Sequence, residues 1–466
     1  MSLTIKTFAY LDGATLFSLV ADQPWAIFLD SGVVSRDMHQ SWKTSFDVLA
    51  IKPTTTFVTN GNSTLITERD RECESDADPL SLVEAKLAEL DFDGNPDLQY
   101  LPGALGYFGY DLARRFERLP ELAANDEQLP EMAVGIYSTV VVIDHEAGET
   151  RLISLDSDQR QLSEWQERIE RTLNQSGDQH DEQTSTRLSS EPIQSNMDEQ
   201  QYQQKFQAVR DYTVAGDCYQ VNLAKRFSSK VAGNAWHTYR ALRKASPAPY
   251  GAFLNLPFAQ VLSNSPESFI QCRNRLVTTS PIKGTMPRDH ADPANDRAIA
   301  DRLRRSRKDR AENLMIVDLM RNDLSRCCEH GTVKVPKLFA LHSFANVHHL
   351  ISTITGKLRE ELHALDLLRS CFPGGSITGA PKIRAMQIIE ELEPHRRGLY
   401  CGSIGYVGVD GGLETNIAIR TMVVKDGVAR FSAGGGLVID SQVEQEYQEI
   451  IDKARMMTEA LTAIVR

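Results

Sequence analysis

The order of apolar and polar residues divides the chain into a front part with short strands and a rear part in which strands and helices alternate. In the front part, short runs of β-branched and aromatic residues are separated by Gly, Pro and Asp, a pattern typical of a region that mixes sheet and helix. The runs that predict front strands are 25–29, 55–58 and 135–143.

The rear part has clearer periodicity. Short apolar runs bounded by turn residues predict strands over 259–263, 268–273, 402–409, 416–424 and 429–433. Helical spacing predicts helices over 201–215, 298–326, 364–371 and 382–391. A last helix is predicted to open with a capping box, Ser441-x-x-Glu444, and to run to the C-terminus.

One long polar stretch interrupts both patterns. Residues 174–200 lack aromatic side chains and are rich in Gln, Ser, Asp and Glu, which is a linker composition. We therefore expect a front part over 1–173, a polar linker over 174–200 and a rear part over 201–466.

Composition and charge exclude several classes of protein. The 466 residues include 51 Lys+Arg and 63 Asp+Glu, and the net charge of −12 argues against a general binder of nucleic acid or anionic membranes. No apolar run reaches the roughly 18 residues that span a bilayer, and residues 1–11 do not resemble a secretory signal. The seven cysteines are odd in number and form no C-x-x-C pair, which predicts buried free thiols in a reducing cytoplasm.

Carboxylates recur at helical spacing on two predicted helices. Asp309 and Glu312 share one face of a helix over 308–326, and Glu446, Glu449 and Lys453 share one face of the last helix. Two such faces supply the oxygen ligands that Mg²⁺ prefers. Spacing alone favours solvated charged faces, with Glu449 and Lys453 as an ion pair.

Two glycine-rich segments and one lysine add candidate chemistry. The run Gly434–Gly436 follows a predicted strand and suits either backbone contact with an anion or a tight strand–helix turn. The segment PGGSITGAPK at 373–382 fails the phosphate-loop pattern, because Ala-Pro precedes Lys382 and no Ser or Thr follows it, so we interpret it as an active-site or structural loop. Lys283, next to an apolar residue and a glycine, is either a surface lysine or a desolvated amine that can act as nucleophile or base.

Taken together, these segments resemble the chorismate-utilising enzymes. The matching blocks stand in the family's order, and they are SPE at 265–267, PIKGT at 281–285, KDRAENLMIVDLMRND at 308–323, VHHL at 347–350, PGGSITGAPK at 373–382, GSIGY at 402–406, IRT at 419–421, AGGG at 433–436 and EYQE at 446–449. A front block, GALGYFGYD at 103–111, also resembles the family. The resemblance implies an α+β fold in which two large antiparallel sheets pack as an αββα sandwich.

Within the family, a lysine at position 283 makes the sequence resemble one branch in particular. That branch transfers an amino group to C4 of chorismate, on the way to 4-aminobenzoate and folate. The related anthranilate synthase large subunit usually has alanine at this position. Anthranilate synthase is therefore the nearest alternative, and isochorismate and salicylate synthases are more distant ones. A non-catalytic protein that binds anions or nucleotides through its glycine loops is an alternative of another class.

The resemblance also implies a role for individual residues. Mg²⁺ would bind Glu312 and Glu449, with Asp309 and Glu446 on its water shell. The ring carboxylate of chorismate would meet the backbone of Gly435 and Gly436 and the side chain of Lys453, and Arg420 with Tyr400 would hold the enolpyruvyl carboxylate. His349 and Thr285 match positions beside the reacting ring, while Lys283 would act as nucleophile and Glu267 as general acid.

Two further expectations concern ligands and partners. None of the cysteines stands in a Gly-x-Cys-x-Gly nucleophile elbow, so ammonia is expected from a separate glutamine amidotransferase subunit. Leu29, Ser31, Pro249 and Tyr250 match the family's tryptophan pocket, although Asp30 replaces the usual glutamate and an ordinary apolar core is the alternative. The basic cluster over 302–310 is expected to be a solvated helix start near the path of an anionic substrate rather than a nucleic-acid site.

Overall fold

The computed structural model describes residues 3–33, 46–69, 71–90, 92, 98–155, 159–174, 188–344 and 347–462. Its α-helices are α1 (Gly13–Phe17), α2 (Pro79–Ala88), α3 (Gln159–Asn174), α4 (Glu199–Ala215), α5 (Ala235–Ala245), α6 (Pro293–Arg305), α7 (Arg307–Ser325), α8 (Ala364–Cys371), α9 (Lys382–Leu392) and α10 (Val443–Thr462). No helix in these ranges is both long and apolar enough to cross a membrane.

The strands form two large sheets, and every strand pair in the described ranges is antiparallel. The first sheet has the spatial order β1 (Thr4–Ala9), β10 (Glu149–Ser154), β9 (Thr139–Asp144), β3 (Phe46–Ala50), β2 (Ala26–Asp30), β14 (Tyr250–Leu256), β15 (Ala259–Ser265), β24 (Thr421–Lys425), β25 (Val428–Leu437), β13 (Gln220–Ala232) and β11 (Ser189–Ser190), with β12 (Gln194–Ser195) and β21 (Gly379–Ala380) also on β13. The second has the order β18 (Ile282–Pro287), β20 (Val347–Lys357), β17 (Leu276–Thr279), β16 (Ser268–Arg273), β23 (Leu413–Asn416), β22 (Ser403–Gly408), β7 (Gly103–Phe108), β8 (Met132–Tyr137), β4 (Thr55–Asn60), β5 (Ser63–Glu68) and β6 (Arg71–Ser75), with β19 (Lys334–Ser343) also on β20.

Three apolar clusters hold the layers together. One lies between the sheets and includes Ile27 and Tyr107. A second packs the first sheet against α1, α3, α4, α5, α9 and α10, and a third packs the second sheet against α2, α7 and α8. Because side chains alternate along a strand, neighbours such as Ile27 and Phe28 enter different clusters, so a central strand such as β2 is apolar on both faces. The predicted αββα sandwich is confirmed.

Two segments that were predicted as single strands each contain parts of two strands, which belong to different sheets. The run 135–143 contains the end of β8 and most of β9, and the chain passes between the sheets at Ser138. The run 416–424 contains the end of β23, a connection over 417–420, and most of β24. In both runs the predictions were wrong because continuous burial hides the point where the chain leaves one sheet for the other.

Three further predictions, about a helix boundary, a glycine run and a helix cap, differ from the structure. The helix over 298–326 is broken at Ser306, which leaves the helical conformation and caps α7 by accepting a hydrogen bond from the Asp309 N–H at 3.3 Å. Gly434–Gly436 lie inside β25 and pair with β13, so they form neither a turn nor a loop. The hydroxyl of Ser441 donates to Glu446 at 2.7 Å instead of forming the predicted capping box.

The remaining predictions concern the polar linker and the cysteines. Residues 175–187 of the predicted linker lie outside the described residues, whereas β11, β12 and the start of α4 fall in its second half. All seven cysteines are free thiols, and six of them are buried while Cys73 is exposed. The prediction of buried thiols was therefore wrong for Cys73, which lies on the exposed strand β6.

Candidate active site

Two crossings between the sheets meet at one place. Pro266 and Glu267 connect β15 to β16, and residues 417–420 connect β23 to β24. The Ile417 N–H donates to the Glu267 carbonyl at 3.0 Å, and the Ser265 hydroxyl donates to the Ile417 carbonyl at 2.6 Å. These bonds place the backbone of Glu267 next to the segment that carries Arg420.

The Glu267 carboxyl group is buried, with only 7% of the residue exposed. Its Oε1 accepts a hydrogen bond of 2.8 Å from the Ser376 hydroxyl. Burial raises the pKa of Glu267, although Ser376, Lys283 and Lys453 oppose that rise. A carboxyl group that keeps its proton more readily than usual suits a general acid. Sequence reasoning missed Ser376, whose only signal was its place in the segment 373–382.

Lys283 lies on a bulge of β18. Ile282 pairs with Ile351 and Thr285 pairs with His349, so β18 has one extra residue, and Gly284 adopts a φ of +83°. Burial lowers the pKa of the Lys283 amine, against the opposing charges of nearby Glu312, Glu267 and Glu449. A lowered pKa increases the fraction of neutral, nucleophilic amine.

Thr285 and His349 face each other across the β18–β20 pair. The Thr285 Oγ1 and the His349 Nδ1 are 2.7 Å apart. Burial and the neighbouring Arg420 lower the pKa of His349 to about 4, so this imidazole is neutral at pH 7.

Arg420 is a partly buried cation in the connection over 417–420. It has a φ of +50°, and burial lowers the pKa of its guanidinium. In the part of the chain that the structure describes, Arg420 forms no ion pair. Tyr400 is 8% exposed and lies next to Cys401, whose N–H donates to the Ala418 carbonyl at 2.9 Å. Tyr400 and Arg420 therefore lie on adjoining segments.

The predicted carboxylate faces of α7 and α10 come together. Asp309 lies against Gly284, because a Cβ at that glycine would be 3.0 Å from the Asp309 Cβ. Burial raises the pKa of Glu312, whereas Lys453 holds the pKa of Glu449 low against the effect of burial. The Lys453 ammonium is 2.7 Å from the Glu449 Oε1 and donates to the Gly434 carbonyl at 2.9 Å.

The carboxylates of α7 and α10 are the candidate ligands for Mg²⁺. Over the described ranges, no three carboxylate, imidazole or thiol groups surround a common point closely enough to hold an ion. However, Mg²⁺ typically needs only one or two protein carboxylates, with water and substrate oxygens completing its octahedron. Among the described residues, the buried Glu312 Oε1 has no hydrogen-bond partner, and the other donors are also hard carboxylate oxygens. The residues therefore fit the cation that the sequence predicts.

The glycines of β25 form one wall of this region. A Cβ on Gly435 would lie 3.0 Å from the Glu446 Oε2, and a Cβ on Gly436 would lie 2.8 Å from the Gln220 Nε2. Gln220 is fully buried, and neither polar atom of its side chain has a hydrogen-bond partner among the described residues. Sequence reasoning missed Gln220, which carried no motif signal.

All four residues of the predicted tryptophan pocket line one cavity between the sheets. Leu29, Ser31, Pro249 and Tyr250 share this cavity with Tyr100 and Glu414, among others. The carboxylate of the neighbouring Asp30 is already engaged, because its Oδ2 accepts hydrogen bonds of 2.8 Å from both Tyr239 and Arg243.

Comparisons with known proteins show the family and the fold of this chain. A family model described as chorismate binding enzyme matches residues 34–459. The chain is 47% identical over 447 residues to aminodeoxychorismate synthase component 1 of Escherichia coli strain K12 (96% of this chain, 95% of the relative), and 46% identical over 447 residues to the protein of that name from Klebsiella aerogenes (96% and 95%). Anthranilate synthase component I from Streptococcus pneumoniae TIGR4 has a similar structure, with a TM-score of 0.78 and 32% identity over 91% of this chain and 96% of that one.

Family motifs, sandwich architecture and converging site residues thus lead to one conclusion. This chain belongs to the chorismate-binding enzyme family.

Proposed function

We propose that this chain aminates chorismate at C4 with ammonia and forms 4-amino-4-deoxychorismate, the precursor of 4-aminobenzoate in folate synthesis. The single observation that carries the proposal is the pairing of a desolvated amine, Lys283, with a buried carboxyl group, Glu267, whose charges influence each other. The names of the relatives from E. coli and K. aerogenes support the same reaction.

The amination is proposed to proceed in two displacements. The Lys283 Nζ lone pair forms a bond to ring C2, the ring double bonds shift toward C4, and the C4–O bond breaks. The hydroxyl leaves as water with the proton of Glu267. Ammonia then forms a bond to C4, the double bonds return, and the C2–N bond to Lys283 breaks. The Glu267 carboxylate accepts the proton that ammonia loses, so chorismate and ammonia give the amino product and water.

Other residues bind and orient the substrate dianion. Arg420, with Tyr400 beside it, is proposed to hold the enolpyruvyl carboxylate, because it is a partly buried cation without an ion pair among the described residues. Lys453 and the Gly435–Gly436 backbone are proposed to face the ring carboxylate. Thr285 is proposed to bind substrate, and neutral His349 to lie beside the ring without adding charge.

Glu312 and Glu449 would hold Mg²⁺, with Asp309 and Glu446 on its water shell. When bound, the cation neutralises and orients the ring carboxylate. A separate glutamine amidotransferase subunit is proposed to supply ammonia, in keeping with the "component 1" in the relatives' names. The seven free thiols support a reducing compartment such as the cytoplasm.

The test is incubation with chorismate, Mg²⁺ and ammonium, followed by mass spectrometry of the products. We expect 4-amino-4-deoxychorismate from the chain alone, no amination without ammonium, and a lysine adduct when ammonium is withheld. Lys283→Ala should lower the rate at least about a hundredfold and remove the adduct. Fluorescent 2-aminobenzoate would instead identify an anthranilate synthase, and a Lys283→Ala protein with full activity would refute the covalent step.

The cavity lined by Leu29, Ser31, Pro249 and Tyr250 is proposed to accept tryptophan without regulating the enzyme. Asp30 stands where the family usually has glutamate, and its Oδ2 is engaged by Arg243 and Tyr239, so we expect bound tryptophan not to affect the active site. Calorimetry should detect tryptophan binding, and the amination rate should be the same with and without tryptophan.

A further inference from the structure

Lys308 lies between two carboxylates of the proposed metal site. Its Nζ is 3.5 Å from the Glu446 Oε1 and 3.9 Å from the Glu312 Oε1. These distances exceed the roughly 2.7–2.9 Å of a charge-assisted hydrogen bond. The neighbouring pair, Lys453 with Glu449, has an N–O distance of only 2.7 Å. The ammonium of Lys308 is therefore attracted by both carboxylates without being tightly bound to either.

The three side chains differ in their access to solvent. The Lys308 side chain is 48% exposed, whereas those of Glu312 and Glu446 are 15% and 6% exposed. Glu446 is also fixed, because its Oε1 accepts a hydrogen bond of 2.7 Å from Ser441 and its Oε2 lies beside Gly435. Glu446 is thus held in place, while the half-exposed ammonium of Lys308 can reach water along its flexible stem.

The local charges explain why a cation is needed here. Asp309, Glu312, Glu446 and Glu449 bring four carboxylates together, and Lys453 is committed to Glu449 and to the Gly434 carbonyl. Buried carboxylates without a nearby cation are unstable. Lys283 is a further positive charge near Glu312, and Lys308 is the cation that lies within 4 Å of both Glu312 and Glu446 among the described residues.

We propose that Lys308 neutralises Glu312 and Glu446 when no metal is bound, and that its ammonium moves into solvent when a divalent cation binds. Lys308 is then a positioning residue that competes with Mg²⁺ and lowers the affinity of the site. This inference rests on the metal site of the proposed function, but it requires no particular product.

The test measures binding of Mg²⁺ alone, without chorismate, by calorimetry on the whole chain. Lys308→Met removes the charge and keeps an apolar stem. We expect this variant to bind Mg²⁺ about 3- to 10-fold more tightly, to melt at a lower temperature without Mg²⁺, and to gain more from added Mg²⁺ than the unmodified chain does. Lys308→Arg keeps the charge and should stay within about twofold of the original affinity.

The matched control is Lys52→Met. Lys52 has a similarly exposed side chain, at 53%, and pairs with Glu164 at 2.6 Å on another part of the surface. This variant should leave Mg²⁺ affinity unchanged. Lys308→Gln gives a second neutral variant should the methionine protein fail to fold.

Equal or weaker Mg²⁺ binding by the neutral variants, or no Mg²⁺ binding by any protein in the series, would overturn the proposal. If chorismate and ammonium give no amino product but Mg²⁺ affinity changes as predicted, the proposed function is wrong and the role of Lys308 stands.

Discussion

The hydroxyl of Ser376 donates a hydrogen bond of 2.8 Å to the Oε1 of Glu267, and the two residues are 109 positions apart in the chain. This bond stabilises the ionised carboxylate and opposes the rise in the pKa of Glu267 that burial causes. The strength of the proposed general acid therefore depends on a serine in a short 3-10 helix (Gly375–Ile377), a residue with no acid–base chemistry of its own.

Replacement of Ser376 by alanine should shift the pH profile of amination. Without the hydrogen bond, the pKa of Glu267 rises further, so the protonated acid persists to higher pH. The alkaline limb of the kcat profile should move to higher pH. At pH 7, kcat should change by less than about tenfold, because one hydrogen bond contributes about 1 kcal/mol.

The control for this profile is Glu267→Gln, which keeps the shape of the side chain but cannot release a proton. Its kcat should fall by about 10²–10⁴-fold at every pH. An unmoved alkaline limb in Ser376→Ala would show that the hydrogen bond does not tune the catalytic acid.

Replacement of Arg420 by glutamine should weaken substrate binding more than it slows turnover. A charge-assisted hydrogen bond to a carboxylate contributes about 1.5–3 kcal/mol, so KM for chorismate should rise about 10- to 150-fold. Steady-state kinetics measure kcat and KM separately. The matched control is Arg168→Gln on α3, where Arg168 pairs with Glu164. A lower kcat with unchanged KM would contradict the binding role.

Two neighbouring glycines should respond differently to the same substitution. A Cβ on Gly435 would meet only the Glu446 Oε2, at 3.0 Å, so Gly435→Ala should fold and bind Mg²⁺ several-fold more weakly. A Cβ on Gly434 would lie 2.8 Å from the Leu223 carbonyl oxygen, which the sheet holds in place. Gly434→Ala should therefore cost about 1–3 kcal/mol of unfolding free energy.

Urea unfolding and Mg²⁺ calorimetry on both variants separate the two effects. Equal destabilisation by the two substitutions would contradict the assignment of Gly435 to the wall beside the metal carboxylates.

Asp30 should prove more important for stability than for ligand binding. Its Oδ2 accepts hydrogen bonds from Arg243 and Tyr239, and Arg243 is only 5% exposed. Asp30→Ala leaves that guanidinium without its nearest counter-charge, which should cost about 3 kcal/mol or more of unfolding free energy. Lys52→Ala, which breaks the exposed pair with Glu164, should cost less than about 1 kcal/mol. Urea denaturation compares the two proteins, and equal losses would contradict this account.

The sequence by itself determined the layers, the family and most of the reacting groups. Helices such as α4 and α8 were predictable because their local periodicity is strong. Glu267, Lys283 and the paired carboxylates of α7 and α10 were singled out because their segments resemble blocks of one family. Residue types and spacing alone left the lysine and the carboxylates open between reacting groups and ordinary surface charges, since a local pattern does not show which distant segment lies alongside.

Only the tertiary structure decided where the chain changes sheets and which side chains meet. The crossings at Ser138 and before Thr421 were hidden, because strands buried on both faces are apolar throughout and show no break in period. The bond from Ser376 to Glu267 and the position of Lys308 between Glu312 and Glu446 join segments far apart in the chain. Such contacts follow from the packing of whole layers, and no local pattern of residues encodes them.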